Sequence, residues 1–165
     1  MGCCDKLLAN IKETSGIIEW GWGMPSNIKQ IKASVGHLSI EVSNIKKSKK
    51  FYAALAEALD LKIICESNEA IGWGNNEFQI WIGLSKNTRV KREPPTGDEI
   101  VVAEHVAIYV HDNDSVDLVN ETLLKAGNSP LFPPEEHPEF SKCYYSASYC
   151  DPENYVIEIF TAPNL

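Results

Sequence analysis

Two histidines begin two similar short runs of the sequence. "HLSIEV" at residues 37–42 and "HVAIYV" at residues 105–110 share His, Ile and Val at the same three places. Both runs read as β-strands, in which successive side chains point to opposite sides. In each run one side is purely apolar and suits cover by a helix, whereas the histidine lies on the other side. We therefore expect His37 and His105 to face a wetter space than the core.

A glutamate stands in a third strand-like run, "YVIEIF" at residues 155–160. Glu158 has only apolar neighbours in that run, and a carboxylate in such surroundings is costly unless it is paired or bound to a cation. With His37 and His105 it forms a set of two histidines and one carboxylate. Three protein ligands leave open positions on a metal, which suits catalysis rather than structure. No residue is assigned as the general base, so the catalytic residues are unknown.

Each histidine run is followed by a helical pattern and further β-type runs. After the first, Ile45, Phe51 and Leu55 recur at helical spacing, with Asn44 or Ser48 as the cap. The runs "LKIICES", "EAIGWG" and "FQIWIGL" then read as three strands.

The second half of the chain repeats this order. "NDSVDLVNETLLKAG" is predicted to be a helix that Asp114 or Ser115 caps and Gly127 closes. "KCYYSASYC" and "YVIEIF" are predicted strands, and the Pro-rich "SPLFPPEEHPEF" before them is predicted to be a loop that carries His137 at the surface. Two copies of a βαβββ unit therefore fill most of the chain.

The repeat sets the expected organisation of one domain. Residues 1–33 form an N-terminal extension, 34–84 the first unit, 85–103 a charged, Pro-containing linker and 104–165 the second unit. In the extension, Leu7, Leu8 and Ile11 suggest a short amphipathic helix. The extension would pack on the domain or on a partner subunit, or form a lid over the site.

Composition excludes several classes of function. The net charge of −8 argues against a nucleic-acid-binding surface, and no run is long and apolar enough to span a membrane. A lipid anchor at Gly2 is not expected, because Lys6 stands where the motif requires Ser or Thr. The five cysteines show no paired metal spacing, and an odd count without a secretory signal fits reduced thiols in the cytoplasm.

The runs "GHLSIEV…SKKFYAALAEALDLK" and "EHVAIYV…YCDPENYVIEIF" resemble the vicinal oxygen chelate superfamily, which includes glyoxalases, bleomycin-binding resistance proteins, extradiol dioxygenases and fosfomycin-resistance thiol transferases. The resemblance covers about residues 35–161, and "HPEF…YYSASYCDPENYVIEI" further resembles a glyoxalase-like branch. It implies an α+β fold in which two βαβββ units form an open, curved, mixed β-sheet barrel around a divalent metal, with helices on the outer face. Asn154 replaces the glycine of the family's turn, and Asn tolerates the left-handed conformation.

The resemblance also implies roles for individual residues. His37 and His105 match the first-strand ligands of the two units, and Glu158 matches the last-strand ligand. Trp81 stands where glyoxalase-type enzymes usually place a carboxylate, unless Gln79, on the same face, substitutes. A set of three ligands is what the extradiol dioxygenases and fosfomycin transferases use.

The leading interpretation is therefore a metalloenzyme that acts on a small vicinal-oxygen compound, with an extradiol-type Fe(II) dioxygenase narrowly preferred. A glyoxalase-type lyase or a thiol transferase with Zn, Ni or Mn is the first alternative. A metal-free resistance protein of the bleomycin-binding type is the second. Trp81, Tyr109, Ser146 and Ser148 are the candidate substrate contacts. We expect a homodimer, because dimers are common among members of the superfamily.

Overall fold

The computed structural model of the protein describes residues 35–86, 95 and 105–162. The expectations for the N-terminal extension therefore lie outside the described residues. These are the short helix at Leu7, Leu8 and Ile11, the lid and the anchor motif at Gly2. Most of the linker at 85–103 lies outside them as well.

The first unit contains one helix and a mixed sheet of four strands. The elements are β1 (His37–Val42), α1 (Ile45–Ala58), β2 (Lys62–Glu66), β3 (Ala70–Gly74) and β4 (Gln79–Leu84). The sheet order is β1-β4-β3-β2, with β1 parallel to β4 and the other pairs antiparallel.

The second unit repeats this arrangement. Its elements are β5 (His105–Tyr109), α2 (Asn113–Lys125), β6 (Phe132–Glu136), β7 (Tyr145–Cys150) and β8 (Val156–Thr161). The sheet order is β5-β8-β7-β6, with β5 parallel to β8. The predicted α+β fold with two βαβββ units is therefore confirmed. Within the described residues the two sheets stay separate and do not pair into a closed barrel.

Side chains before each helix fix where it begins. Of the two predicted caps of α1, Asn44 and Ser48, the structure shows Asn44. Its side chain accepts a hydrogen bond from a backbone N–H of the first turn. The prediction for α2 was wrong, because Asp112 and not Asp114 or Ser115 is the cap. Asp112 Oδ1 accepts both the N–H of Ser115, at 2.9 Å, and its hydroxyl, at 2.6 Å. Gly127 follows the end of α2 with φ +78, as predicted for a helix-closing glycine.

A strand stands where a Pro-rich loop was predicted. β6 runs through Pro133 and Pro134, and among the described strands it pairs only with β7, at the edge of the second sheet. Its register shifts between Phe132 and Glu135, which marks a bulge. Proline has no N–H to donate and is therefore tolerated at a sheet edge and at bulges. The prediction failed because composition alone does not reveal an edge position.

One hydrophobic core joins the two units. Helix α1 packs on β3 and β4, α2 packs on β6, β7 and β8, and the two helices contact each other. Polar contacts also connect the units at one end of the core. Tyr52 on α1 donates to Asp151 Oδ2 at 2.6 Å, and Ser43 donates its hydroxyl to Glu153 Oε1 at 2.7 Å.

The turn at 151–155 has the conformation that was expected of it. Asn154 adopts φ 64, in the left-handed region, where Asn is tolerated. Asp151 Oδ1 accepts the backbone N–H groups of Glu153 and Tyr155, each at 2.8 Å. The turn thus leads directly into β8, the strand that carries Glu158.

Both described helices are short and amphipathic. No helix among the described residues is long and apolar enough to cross a membrane. The described cysteines Cys65, Cys143 and Cys150 are free thiols.

Candidate functional site

His105 and Glu158 lie side by side on one face of the second sheet. Because β5 runs parallel to β8, His105 pairs with Val156, and Glu158 pairs with Ala107. His105 Nε2 lies 3.3 Å from Glu158 Oε2. The His105 side chain is 33% exposed and that of Glu158 12%, so the pair is shielded but can be reached.

Tyr144 binds the other oxygen of Glu158. Its hydroxyl donates to Glu158 Oε1 at 3.0 Å, so one carboxylate oxygen is held by the tyrosine and the other faces His105. Partial burial, and then the adjacent negative charge of Glu158, raises the pKa of Tyr144 above its ordinary value. Tyr144 therefore keeps its proton and acts as a donor.

The pair lies in a cavity of about 340 Å³ that the second unit forms. Strands β5 to β8 and the loop after β6 all contribute to its wall. Ser146 and Ser148, two of the candidate substrate contacts, line it and are 3% and 9% exposed. Their hydroxyls have no hydrogen-bond partner among the described residues, so they are available to a ligand.

His137 also lines this cavity, although the sequence placed it in a surface loop. Its Nδ1 lies 3.0 Å from Glu139 Oε1, and its Nε2 lies 4.0 Å from Glu135 Oε1. The imidazole stacks on Phe140, with ring centroids 5.5 Å apart. The signal that could have found it is the alternation in "EEHPEF". Once β6 is recognised as a strand, Glu135 and His137 share one side.

Aromatic rings form part of the cavity wall, and further rings pack behind them outside the cavity. Tyr144 stacks on Phe160 at 5.2 Å and meets the edge of Phe140 at 5.5 Å. Tyr109 contacts Phe160 edge to face at 5.8 Å and is 39% exposed. Tyr109 thus lies next to the aromatic wall but does not line the cavity.

His37 and Trp81 lie on a different face, in the first sheet. His37 pairs with Gln79, and Ser39 pairs with Trp81, so all four share one side. Trp81 Nε1 donates to Gln79 Oε1 at 2.9 Å. His37 is exposed, and neither His37 nor Trp81 lines the cavity of the second unit. Among residues 35–86, 95 and 105–162, no three His, Cys, Asp or Glu side chains converge to hold a metal.

The donors of the cavity nevertheless fit two positions on a divalent ion. Imidazole and carboxylate are ordinary ligands of Fe(II) and Zn, and two ligands about 2.1 Å from an ion at near right angles lie about 3 Å apart. The 3.3 Å between His105 Nε2 and Glu158 Oε2 agrees with that spacing. One described chain thus brings together two of the three predicted ligands.

No protein-family model matches the sequence, and no curated protein matches it significantly. Solved structures do match the fold. A glyoxalase-related enzyme from Fulvimarina pelagi has a TM-score of 0.58 at 20% identity, over 79% of this chain and 88% of that one. A glyoxalase/bleomycin resistance protein from Albidiferax ferrireducens T118 has a TM-score of 0.59 at 19% identity, over 78% and 98%.

A lactoylglutathione lyase from Agrobacterium tumefaciens has a TM-score of 0.55 at 12% identity, over 81% of this chain and 96% of that one. These neighbours share the paired-unit architecture over nearly their whole length, while their sequences differ widely from this one. The chain therefore has the fold of glyoxalase/bleomycin resistance/dioxygenase proteins, in agreement with its resemblance to the vicinal oxygen chelate superfamily.

Proposed function

We propose that the protein is a metal-dependent enzyme of the glyoxalase/dioxygenase type that acts on a small vicinal-oxygen compound. His105, Glu158 and His37 are the proposed ligands of a divalent ion, with Fe(II) preferred and Zn, Ni or Mn as alternatives. The observation that carries the proposal is the close approach of His105 Nε2 and Glu158 Oε2, at 3.3 Å, inside a cavity with free hydroxyls. A cytoplasmic location remains the expectation.

We further propose that a homodimer completes the site. His37 occupies in β1 the place that His105 occupies in β5, but it lies on an exposed sheet face away from the cavity. The edge strand β2 of the same sheet exposes Ile63 and Ile64, at 55% and 48%. A second copy that lays its first sheet over the cavity would cover these apolar side chains and supply His37 as the third ligand.

The residues of the cavity have separate tasks in this proposal. Tyr144 holds Glu158 Oε1, which leaves Oε2 beside His105 for the ion. A bound divalent ion would supply Lewis-acid chemistry that lowers the pKa of two adjacent substrate oxygens. The hydroxyls of Ser146 and Ser148 would bind the substrate's polar groups, and Tyr144 would contact a planar substrate.

Different observations bear on the two alternatives. A glyoxalase-type lyase needs a fourth ligand, and the Gln79 carbonyl oxygen is already engaged by Trp81 Nε1. That contact favours a three-ligand site. A metal-free binding protein of the bleomycin-resistance type is the second candidate, because no three metal-binding side chains converge within the described residues.

The test uses metal content as its readout. Protein purified anaerobically should hold about one metal ion per chain, and both His37→Ala and His105→Ala should lose it. His111→Ala, an exposed histidine outside the cavity, is the matched control. Iron favours the dioxygenase. Zinc, nickel or manganese favours the lyase or the transferase, and no metal favours the binding protein.

Mixing the two metal-free variants tests the dimer. When equal amounts of the His37→Ala and His105→Ala chains are refolded together, about half of the dimers should be heterodimers. Each heterodimer should contain one intact site made from two chains. Metal binding should then return to about a quarter of the wild-type value. Ligands that all come from one chain would give no recovery, and that result would refute the shared site.

A further inference from the structure

We propose that the cavity of the second unit selects a positively charged aromatic compound, in the form of a single ring that carries a protonated amine. This inference rests on the proposed function for the location of the site, but its evidence does not involve the metal. It names a substrate class and excludes anionic compounds. The evidence comes from charge, from aromatic rings and from unpaired hydroxyls.

The charge of the cavity wall is negative. Glu135, Glu139 and Glu158 contribute three carboxylates, and the described part of the lining contains no lysine or arginine. The basic groups there are His105 and His137, and one negative charge remains when both imidazoles are protonated. One negative charge also remains when a divalent ion lies between His105 and Glu158 and His137 is neutral. Hydrogen bonds from its own backbone amide and from His137 lower the pKa of Glu139, which keeps that carboxylate ionised.

The aromatic rings suit a flat ligand. His137 stacks on Phe140, and Tyr144 meets Phe140 edge to face, so the three rings form a continuous panel in the wall. An aromatic ring binds such a panel by stacking or edge contacts, and a cation is attracted to the ring faces. A cavity of about 340 Å³ is near the lower end of ligand pockets and fits a single substituted ring.

Two serines that are buried as residues line the cavity and offer their hydroxyls to a polar ligand. Ser146 and Ser148 are 3% and 9% exposed, line the cavity and have no hydrogen-bond partner among the described residues. A ligand that fills the cavity would leave these hydroxyls unsatisfied unless it carried hydrogen-bonding groups of its own. Ser148 pairs with Glu158 across β7 and β8, so these groups would lie at the floor, beside the proposed metal position.

Together these features orient the ligand. Its oxygens lie at the floor, its ring lies against Phe140 and Tyr144, and its amine points to the rim. The rim carboxylates belong to Glu135 and Glu139, whose side chains are 54% and 59% exposed. An ammonium group there is attracted, whereas a carboxylate or phosphate group is repelled.

Three probes that share a 4-hydroxyphenethyl group and differ in the charge of the terminal group test the inference. Tyramine carries an ammonium, 4-(2-hydroxyethyl)phenol is neutral, and 3-(4-hydroxyphenyl)propanoate carries a carboxylate. Each has a single phenolic oxygen, so none of them chelates a metal through adjacent oxygens. Isothermal titration at low salt should show tyramine binding about tenfold more tightly than the neutral probe. The acid should bind more weakly than either, and high salt should reduce the difference.

Charge-neutralising variants locate the effect. Glu135→Gln with Glu139→Gln should abolish the preference for tyramine while retaining binding of the neutral probe. Glu57→Gln with Glu77→Gln changes the net charge equally at exposed positions outside the cavity, and it should keep the preference. Circular dichroism checks that each protein is folded.

The outcomes separate this inference from the proposed function. A preference that persists in a chelator, in protein that holds no metal, supports the ligand class even though the enzyme proposal fails. A metal-loaded protein that binds the three probes equally, prefers the acid or binds none of them overturns the ligand class alone. The inference also fails when the Glu57/Glu77 control loses the preference to the same extent as the rim variant.

Discussion

Removing one hydroxyl from the core should weaken the connection between the two units. Tyr52 is 0% exposed and donates to Asp151 Oδ2 at 2.6 Å, while Asp151 is itself 3% exposed. The other carboxylate oxygen accepts two backbone N–H groups from the turn. Tyr52→Phe keeps the ring and its packing, so the variant isolates the hydrogen bond to Oδ2.

The expected loss of stability follows from the charge of the Asp151 acceptor and the burial of the hydrogen bond. A hydrogen bond to a charged group contributes about 1.5–3 kcal/mol, since its loss leaves a buried charge less well solvated. We expect Tyr52→Phe to lower the free energy of unfolding by about 2 kcal/mol at pH 7, which is roughly 6 °C in Tm. The matched control is Tyr149→Phe, whose hydroxyl donates to the neutral Asn120 Oδ1 at 2.9 Å. That loss should be about 1 kcal/mol.

The pH dependence gives a second measure of the same contact. Burial raises the pKa of Asp151 above its ordinary value, although hydrogen bonds from Tyr52 and the turn lower it in part. A raised folded-state pKa means that the contribution of Asp151 to stability is greatest below the unfolded value and is lost as pH rises through the folded one. Tyr52→Phe removes one lowering contact and raises this pKa further, so the variant should lose more stability over that range.

Chemical denaturation at pH 7 and near pH 4 measures both effects. The difference between wild type and Tyr52→Phe should shrink to about 1 kcal/mol in acid, where Asp151 takes up its proton. The difference for Tyr149→Phe should stay constant over the same range. Equal losses for the two variants at pH 7, without a change in acid, would refute the assignment of a charged acceptor to Tyr52.

Further predictions concern the first sheet, a buried serine and alkaline pH. Gly72→Ala places a Cβ 2.7 Å from the Trp81 ring and should cost about 2 kcal/mol with a change in tryptophan fluorescence. Gly83→Ala meets nothing within 4 Å and should be nearly neutral in the same thermal melt. Ser48→Ala should raise the stability measured in urea by about 0.5–1 kcal/mol, because its buried hydroxyl has no partner among the described residues. Denaturation midpoints should fall as pH rises above about 10, because the unfolded chain releases tyrosine protons that the folded chain retains. The tyrosines whose pKa is raised above 10.0, first by burial, include Tyr52, Tyr144 and Tyr149.

Local patterns were enough to predict most elements of the fold. Alternation predicts that His105 faces a wetter space than the core, and its side chain meets that of Glu158 there. The cap of α2 was missed because several residues near its start can accept a backbone N–H, and sequence alone does not decide among them. Only the structure shows that Asp112 binds both donor groups of Ser115. Strand β6 was missed because its prolines are acceptable only at an edge, and edge position depends on the rest of the sheet.

The candidate site was harder to predict than the fold. His137 lines the cavity because β6 pairs with β7, and the prediction of a loop over residues 129–140 does not include that pairing. The same alternation that places His105 on one side of its strand places His37 on the corresponding side of β1. Alternation does not say what lies against that side of the sheet. That depends on the placement of whole units, and in a dimer it depends on a second chain. The assignment of His37 therefore remains a prediction.

The two units differ at the place where one of them would bind a metal. In the first sheet Trp81 pairs with Gly72, and the Trp81 ring lies where any side chain on Gly72 would be. In the second sheet Glu158 takes the place of Trp81, and its partner is Ser148, whose hydroxyl faces the cavity. In each pair the size of one residue depends on the other. A Cβ beside Trp81 would clash with its ring, so its partner must be glycine, whereas the small polar Ser148 leaves room beside the Glu158 carboxylate.

This pairing would explain why the proposed site occurs once per two units. Trp81 stands in the first unit where the second unit has a carboxylate, and its indole N–H donates to Gln79 Oε1. In the first sheet only His37 is then left as a proposed ligand. The second sheet keeps both His105 and Glu158. In the proposed site, a carboxylate in place of Trp81 would offer a fourth ligand to the divalent ion. The chemistry would then shift toward the four-ligand glyoxalase type and away from the open three-ligand site.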